Sequence, residues 1–196
     1  MSYELRTLEN WLAKDSRVLD LGCGDGSLLA ALRESKNIQA FGLEIDYRNI
    51  TKGIERGINI IEQDIDAGLG NFADQSFSTV IMTQTLQAIQ YPDRALEEML
   101  RVGEQGIVTF PNFGHWRCRL HLGTRGRMPV SRFMPHAWYD TPNIHFCTVR
   151  DFEALCAERD IRILNRTFIN MRNERPLLAK LWPNLFAVTA IYRISK

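Results

Sequence analysis

Apolar residues fall along the chain in short runs separated by amphipathic stretches, a pattern typical of strands that alternate with helices. The spacing of Leu5, Leu8, Trp11 and Leu12 predicts an N-terminal helix, lying over the mouth of a site or against a sheet edge. Further helices are predicted near 28–32, after Asp46, over 93–101 and over 149–158. Apolar runs predict strands over 17–20, 38–43, 58–61, 77–82, 105–110, 161–165 and 186–194. This alternation indicates an α/β fold built on a mostly parallel sheet.

Length and composition narrow the class of protein but name no partner. A chain of 196 residues is one domain by default, so we expect a single domain over 1–196. The 24 basic and 23 acidic residues nearly cancel, which gives no sign of nucleic acid or a membrane surface as the target. The four cysteines show neither a Cys-x-x-Cys pair nor a zinc spacing, and no run approaches the roughly 18 apolar residues of a membrane span. We therefore expect a cytoplasmic protein with reduced thiols and no membrane segment.

The first predicted strand leads into a glycine turn, Gly22-x-Gly24-x-Gly26, which is followed at once by a helical pattern. Glycine lets a ligand approach the backbone closely, and the helix start offers unpaired N–H groups. No lysine follows, which excludes a P-loop, and the spacing is tighter than Gly-x-Gly-x-x-Gly. With Asp20 two positions before the first glycine, the turn resembles the first motif of class I S-adenosylmethionine-dependent methyltransferases. The alternative is that the glycines merely shape a strand-to-helix turn.

Two further carboxylates favour a nucleoside site. Glu44 ends the second predicted strand and is placed to accept both hydroxyls of a ribose. Asp64 follows the third, where an acid in methyltransferases receives the adenine amino group. Each alone is more often a solvated loop residue, but three acids in this order predict nucleoside binding. The predicted site for S-adenosylmethionine or S-adenosylhomocysteine comprises Asp20, Gly22, Cys23, Gly24, Gly26, Glu44, Ile45, Asp64, Ile65 and Thr83. Thr83 starts the segment leaving the fourth strand, beside the expected methionine end of the cofactor.

The segment 111–146, predicted to be a cap inserted after the fifth strand, has its own chemistry. It contains all four histidines of the chain, five arginines and several large aromatic residues, while no Asp or Glu occurs from Gln105 to Tyr139. The histidines are too scattered to predict a zinc site, and there is no lysine or reading motif for nucleic acid. Two interpretations stay open: a cap with solvated arginines, or a surface that recognises a carboxylate substrate or an acidic protein partner. His115, His145 and Tyr139 are each candidates for a general base, so the catalytic residues stay unknown.

Several longer motifs resemble one bacterial family in particular, the class I methyltransferase-like MetW family of methionine biosynthesis. They are Gln84–Gln87, Phe110–Arg117, Gly126–Val130, Trp138–His145 and Leu181–Asn184. The resemblance covers nearly the whole chain. It implies a class I methyltransferase fold, a Rossmann-like seven-stranded sheet with helices on both faces and an antiparallel last strand.

The resemblance also implies a role beside the homoserine O-acyltransferase MetX, as a partner or regulator. The alternative is an S-adenosylmethionine-dependent methyltransferase that acts on a small carboxylate-bearing metabolite. Methyl transfer requires mainly that donor and acceptor are held in line. The lack of an evident catalytic cluster therefore does not choose between these two classes. If the cap docks a partner, Trp116 and Trp138 are the expected anchors, and Arg117, Arg119 and Arg127 the expected charge contacts, with the basic segment 166–185 as the other possible interface.

Overall fold

The computed structural model describes residues 3–131, 134–170 and 177–196, and has a single large sheet with helices on both faces. The strands are β1 (Arg17–Leu21), β2 (Gln39–Glu44), β3 (Asn59–Glu62), β4 (Thr79–Thr83), β5 (Gly106–Pro111), β6 (Arg162–Ile169) and β7 (Thr189–Ser195). The helices are α1 (Tyr3–Trp11), α2 (Ser27–Lys36), α3 (Tyr47–Glu55), α4 (Pro92–Val102), α5 (Trp116–Arg125), α6 (Val149–Glu158), α7 (Leu177–Leu181) and α8 (Pro183–Phe186). Two short 3-10 helices span Ile65–Ala67 and Leu86–Ala88.

The seven strands lie in the order β3-β2-β1-β4-β5-β7-β6. β1 to β5 pair in parallel, whereas β7 runs antiparallel between β5 and β6. This topology confirms the predicted mostly parallel sheet with an antiparallel last strand. The carboxyl ends of β1 to β5 share one edge, where open α/β sheets bind their ligands.

The core has two layers, one on each face of the sheet. On one face Leu8 and Leu12 of α1 pack with Leu29 of α2 and with strand residues such as Ile81 and Ile107. On the other face the centre is aromatic, where Phe110, Phe152 and Tyr192 contact one another with ring centroids 4.7–5.9 Å apart. Alternating strand residues therefore point to opposite layers, so neighbouring residues at a strand end face opposite sides of the sheet.

The structure departs from the predicted elements mainly after β5. A helix, α5, lies inside the predicted cap, and β6 runs to Ile169 rather than stopping at Asn165. The predicted last strand is shorter, because α8 occupies 183–186 before β7 starts at Thr189. Residues 132–133 of the cap and 171–176 of the basic segment lie outside the described residues. Within the described ranges, no helix is both long and apolar enough to cross a membrane.

A buried asparagine joins the segments that follow β5. The Nδ2 group of Asn112 donates to the carbonyls of Asn184 at 3.2 Å and Ala187 at 2.8 Å. Its Oδ1 atom accepts from the backbone N–H groups of Gly114 at 3.0 Å and Val149 at 3.2 Å. Two motifs far apart in sequence, 110–117 and 181–184, thus meet at one amide, which places α5 and α8 beside the start of α6.

Candidate functional site

The glycine turn after β1 is tied to β2 and open on its outer side. The N–H groups of Gly22 and Cys23 both donate to the carbonyl of Leu43 at 2.9 Å. Gly24 has φ 55, and a Cβ added there would have no atom within 4 Å. The backbone at Gly24 therefore borders open space that a ligand can enter, as a cofactor-binding turn requires.

Glu44 lies at the end of β2 and uses its carboxylate to organise this turn. Its Oε2 atom accepts the Gly24 N–H at 2.8 Å, while Oε1 accepts the N–H groups of Ile45 at 2.9 Å and Asp46 at 3.0 Å. Each carboxylate oxygen has more than one acceptor direction, so these bonds leave room for a further donor. The structure thus places the predicted ribose acceptor directly against the predicted glycine turn.

Asp20 lies beneath the turn as an isolated buried carboxyl group. It is 1% exposed, and neither of its oxygens has a hydrogen-bond partner among the described residues. Burial, and then the nearby charge of Glu44, raise its pKa from 3.8 to about 7. The Cys23 thiol beside them has its pKa raised to about 12 by burial and by Asp20, so it stays protonated. A buried polar group without a partner marks a place for a cationic or N–H-bearing ligand group.

The remaining predicted residues on β3 and β2 flank the same edge. The exposed Asp64 accepts the N–H of Asp66 at 2.9 Å and so caps the 3-10 helix that begins at Ile65. Ile45 is 64% exposed, which is unusual for an isoleucine next to a buried strand. Glu44 and Glu62 are neighbours in the parallel register, so Ile45 and Asp64 extend from adjacent strand ends. An exposed apolar side chain beside a carboxylate suits a flat base that carries an amino group.

The exit of β4 closes the site on the other side. Thr83 ends the strand, and the next residue, Gln84, has the left-handed φ of 56. This strained backbone is held because the Gln84 N–H donates to the Thr109 carbonyl at 3.0 Å. The turn brings Thr85 over the glycine loop, so closely that a Cβ on Gly22 would lie 2.7 Å from the Thr85 hydroxyl. Sequence reasoning missed Gln84 and Thr85 as parts of the site, although both lie in one of the family motifs.

The three candidate bases have different surroundings, and no one of them stands out. His115 is buried and uses Nδ1 to cap α5 through the Arg117 N–H at 3.3 Å; burial lowers its pKa. The Nε2 atom of His145 lies 3.3 Å from the Gln90 carbonyl, and Tyr139 is 74% exposed. The described residues contain no cluster of three or more His, Cys, Asp or Glu side chains with the geometry for a metal ion.

A cavity of about 140 Å³ lies between α5 and the start of β7. Two imidazoles, His115 and His121, line it with Arg117, while Val130 and Met134 supply apolar surface. Its position past the end of β5 is where the sheet edge continues beyond the glycine turn. A small molecule with a negative group fits this lining.

The chain matches the family model "Methionine biosynthesis protein MetW" over residues 3–194. The chain belongs to the MetW family. Over 185 residues it is 36% identical to the bifunctional methionine biosynthesis protein MetXA/MetW of Rhodopirellula baltica. That match covers 90% of this chain but only 30% of the relative, so the chain spans under a third of that protein's length.

Solved structures share the fold at low sequence identity. A SAM-dependent methyltransferase from Archaeoglobus fulgidus aligns with TM-score 0.72 and 15% identity, covering 98% of this chain and 91% of that one. The [4+2]-cyclase SpnF aligns with TM-score 0.69 and 19% identity, covering 99% of this chain and 81% of that one. The class I methyltransferase fold is therefore confirmed. Because the same fold carries a methyltransferase and a cyclase, the fold alone does not determine the reaction.

Proposed function

We propose that this protein binds S-adenosylmethionine or S-adenosylhomocysteine and acts with the homoserine O-acyltransferase MetX, as its required partner or regulator in methionine biosynthesis. The observation that carries the partnership is the Rhodopirellula baltica relative, whose name joins MetXA and MetW in one bifunctional protein. Two activities joined in one chain are held at high effective concentration, which serves proteins that work together.

The chemistry of the sheet edge supports the cofactor. Glu44 would accept the ribose hydroxyls while it holds the Gly24 amide, and the open backbone at Gly24 would admit the cofactor's amino-acid part. Asp20 would receive the ammonium group, which supplies the partner that its buried oxygens lack. Asp64 would accept the adenine amino group, with Ile45 against the base. When bound, S-adenosylmethionine supplies an electrophilic methyl group, and the chain's own residues bind and orient it.

The cap and the last helices support a protein interface. α5 has no fully buried residue, although it carries Trp116 and Leu120, which are 39% and 56% exposed. A ten-residue helix is marginal on its own in water, so this face would gain from a packing partner. Leu181 and Trp182 are also exposed, and a cavity of about 360 Å³ lined by Arg119 lies between them and α6. Exposed aromatics beside arginines are typical anchors of protein interfaces.

Two measurements test the proposal. Calorimetry should show binding of S-adenosylmethionine or S-adenosylhomocysteine and no binding of NAD, whereas the reverse result would reject the cofactor. Size-exclusion chromatography of the protein with the acyltransferase from the same cell should show a joint peak. Separate elution at micromolar concentrations of both proteins would reject a stable partnership.

The second candidate is methyl transfer to a small carboxylate-bearing metabolite. The cavity lined by His115, His121 and Arg117 favours it, because these cationic or N–H-bearing groups would hold a carboxylate beyond the end of β5. In that case Arg117 would orient the acceptor, and the sheet edge would hold the donor in line. Production of S-adenosylhomocysteine from S-adenosylmethionine with a panel of carboxylic acids, in the absence of the acyltransferase, tests it.

We also propose a cytoplasmic location. All four cysteines are free, and Cys23 and Cys156 are buried. Unpaired thiols persist in a reducing compartment.

A further inference from the structure

A second buried carboxyl group, Glu4, lies in the first turn of α1 and was not among the predicted site residues. Its Oε1 atom is shielded from solvent and has no hydrogen-bond partner among the described residues. The side chain of Thr109 is its hydrogen-bond neighbour, and burial raises its pKa. Thr109 belongs to β5 and is fully buried. The helix thus presents a carboxyl group to the sheet.

The packing of α1 fixes where this carboxyl group lies. Leu8 and Leu12 insert into the core layer that contains Ile81 and Ile107, so the later turns of α1 lie over β4 and β5. The first turn therefore reaches the carboxyl edge of the sheet at Thr109. Thr109 is the register partner of Thr83, the last residue of β4, and neighbouring strands lie about 5 Å apart. Glu4 consequently lies beside the β4 exit, where the methionine end of the cofactor is expected.

Asp20 lies on the same face of the sheet as Thr83 and Thr109. It pairs in register with Ile81, which in turn pairs with Ile107, and these two precede Thr83 and Thr109 by two residues. Two buried carboxyl groups with unpartnered oxygens thus share one face at the ligand edge. Among the described residues neither forms a salt bridge. Buried carboxylates without a cation are costly, so this face favours a ligand that brings positive charge.

We infer that Glu4 recognises the positive charge at the reacting sulfur of the adenosyl cofactor and so distinguishes S-adenosylmethionine from S-adenosylhomocysteine. The inference rests on the proposed cofactor site. The sheet order β3-β2-β1-β4-β5 places Asp64, Glu44, Asp20 and Thr83 in the order of adenine, ribose, ammonium and sulfonium, with Glu4 next to the last. S-adenosylmethionine carries a sulfonium there, whereas S-adenosylhomocysteine carries a neutral thioether. A carboxylate within several ångströms therefore favours the first ligand only.

This selectivity would let the protein respond to the methyl donor and not to its demethylated product. A protein that acts beside an acyltransferase of the methionine pathway would then be sensitive to the charged form of the cofactor. Glu4 is a binding residue in this account and takes no part in a bond-forming step.

Calorimetry at pH 8 with three ligands tests the inference: S-adenosylmethionine, S-adenosylhomocysteine and sinefungin, which carries an amine in place of the methylsulfonium. The wild type should bind the two charged ligands about tenfold more tightly than S-adenosylhomocysteine. Glu4→Gln should abolish that preference while it leaves S-adenosylhomocysteine affinity within about twofold, which also shows that the variant is folded. Glu4→Asp, which keeps the charge, should retain part of the preference. Glu9→Gln, the same change further along α1, should behave as the wild type.

The possible failures are distinct. No binding of any of the three ligands by the wild type would reject the proposed cofactor site itself. Binding of all three with a ligand preference that Glu4→Gln leaves unchanged would reject the role of Glu4 alone. Loss of S-adenosylhomocysteine binding in Glu4→Gln, with normal thermal unfolding, would also reject it, because a charge-specific contact cannot affect the neutral ligand.

Discussion

The carboxylate of Glu44 accepts the backbone N–H of Gly24 at 2.8 Å, across the gap between the end of β2 and the turn after β1. A residue expected to bind the ribose therefore also shapes the turn that borders the cofactor. Ligand binding and the conformation of the glycine turn are coupled through this one side chain.

Glu44→Ala should weaken binding of S-adenosylmethionine by about 2–4 kcal/mol, or roughly 30- to 1000-fold, because it removes the ribose acceptor and releases the turn. Glu44→Gln retains one oxygen acceptor but places an N–H group opposite a backbone donor, so its loss should be smaller. Calorimetry measures both affinities, and circular dichroism checks that the sheet is intact. Unchanged affinity in folded Glu44→Ala would show that the residue only supports the loop.

Asp20 should make the ligand-free protein less stable as the pH rises. Its pKa is about 7 in the folded protein and near 3.8 when unfolded, so the unfolded chain loses this proton first. The contribution of Asp20 is thus most favourable below pH 3.8 and is lost as the pH rises through 7. Asp20→Asn should raise the free energy of unfolding at pH 8.5 far more than at pH 4.5. Denaturant unfolding at both values tests this, and an equal effect at both would contradict it.

Asn112 should contribute strongly to stability, although its position has no link to catalysis. Asn112→Ala leaves the N–H groups of Gly114 and Val149 and the Ala187 carbonyl without their side-chain partner. We expect the free energy of unfolding to fall by about 3–5 kcal/mol. Asn10→Ala, on the exposed face of α1, should change it by less than about 0.5 kcal/mol. Similar urea midpoints for the two variants would contradict this role.

The partner surface is best tested through Arg117, whose guanidinium lies 5.3 Å from the centre of the Trp116 ring. Arg119 is less suitable, because it already donates to the Gly114 carbonyl at 2.6 Å and holds the loop. Arg117→Glu should weaken association with the acyltransferase at least tenfold, since opposed like charges cost several kcal/mol. Arg94 stacks on Tyr91 in the same way at 4.8 Å, on α4, and Arg94→Glu is the matched control.

Surface plasmon resonance at two salt concentrations distinguishes the outcomes. The account expects wild-type and Arg94→Glu binding that weakens with salt, and little binding by Arg117→Glu. Equal binding by all three proteins would move the interface away from α5, to the exposed leucines of α7 or to the rest of the basic segment.

The sequence was sufficient for the sheet because each inner strand, such as 79–83, is a nearly continuous apolar run. It was insufficient for α5, since that helix buries no residue completely and so lacks the apolar face that periodicity detects. α8 was taken for the start of a strand because Phe186 to Ile194 reads as one apolar run. Only the tertiary contact between Asn112 and the 184–187 carbonyls explains why the chain turns there.

Within the candidate site, strand-end acids such as Glu44 could be predicted because glycine spacing and chain order locate them. Glu4 could not, since a glutamate in the first turn of a helix is usually solvated and favoured there by the helix dipole. Its burial depends on how α1 crosses β5, which the local pattern does not contain. The left-handed backbone of Gln84 likewise follows from its bonds to Thr109 rather than from its own residue type.

The central claim is that this protein binds the adenosyl cofactor and is needed by a homoserine O-acyltransferase. Its most direct measurement is acyl transfer to homoserine by the purified acyltransferase, alone, with this protein, and with this protein plus S-adenosylmethionine. The account predicts low activity alone, at least a tenfold rise with the wild type, and a further change in rate when the cofactor is added. Full activity of the acyltransferase alone, unaltered by this protein with or without cofactor, would contradict it.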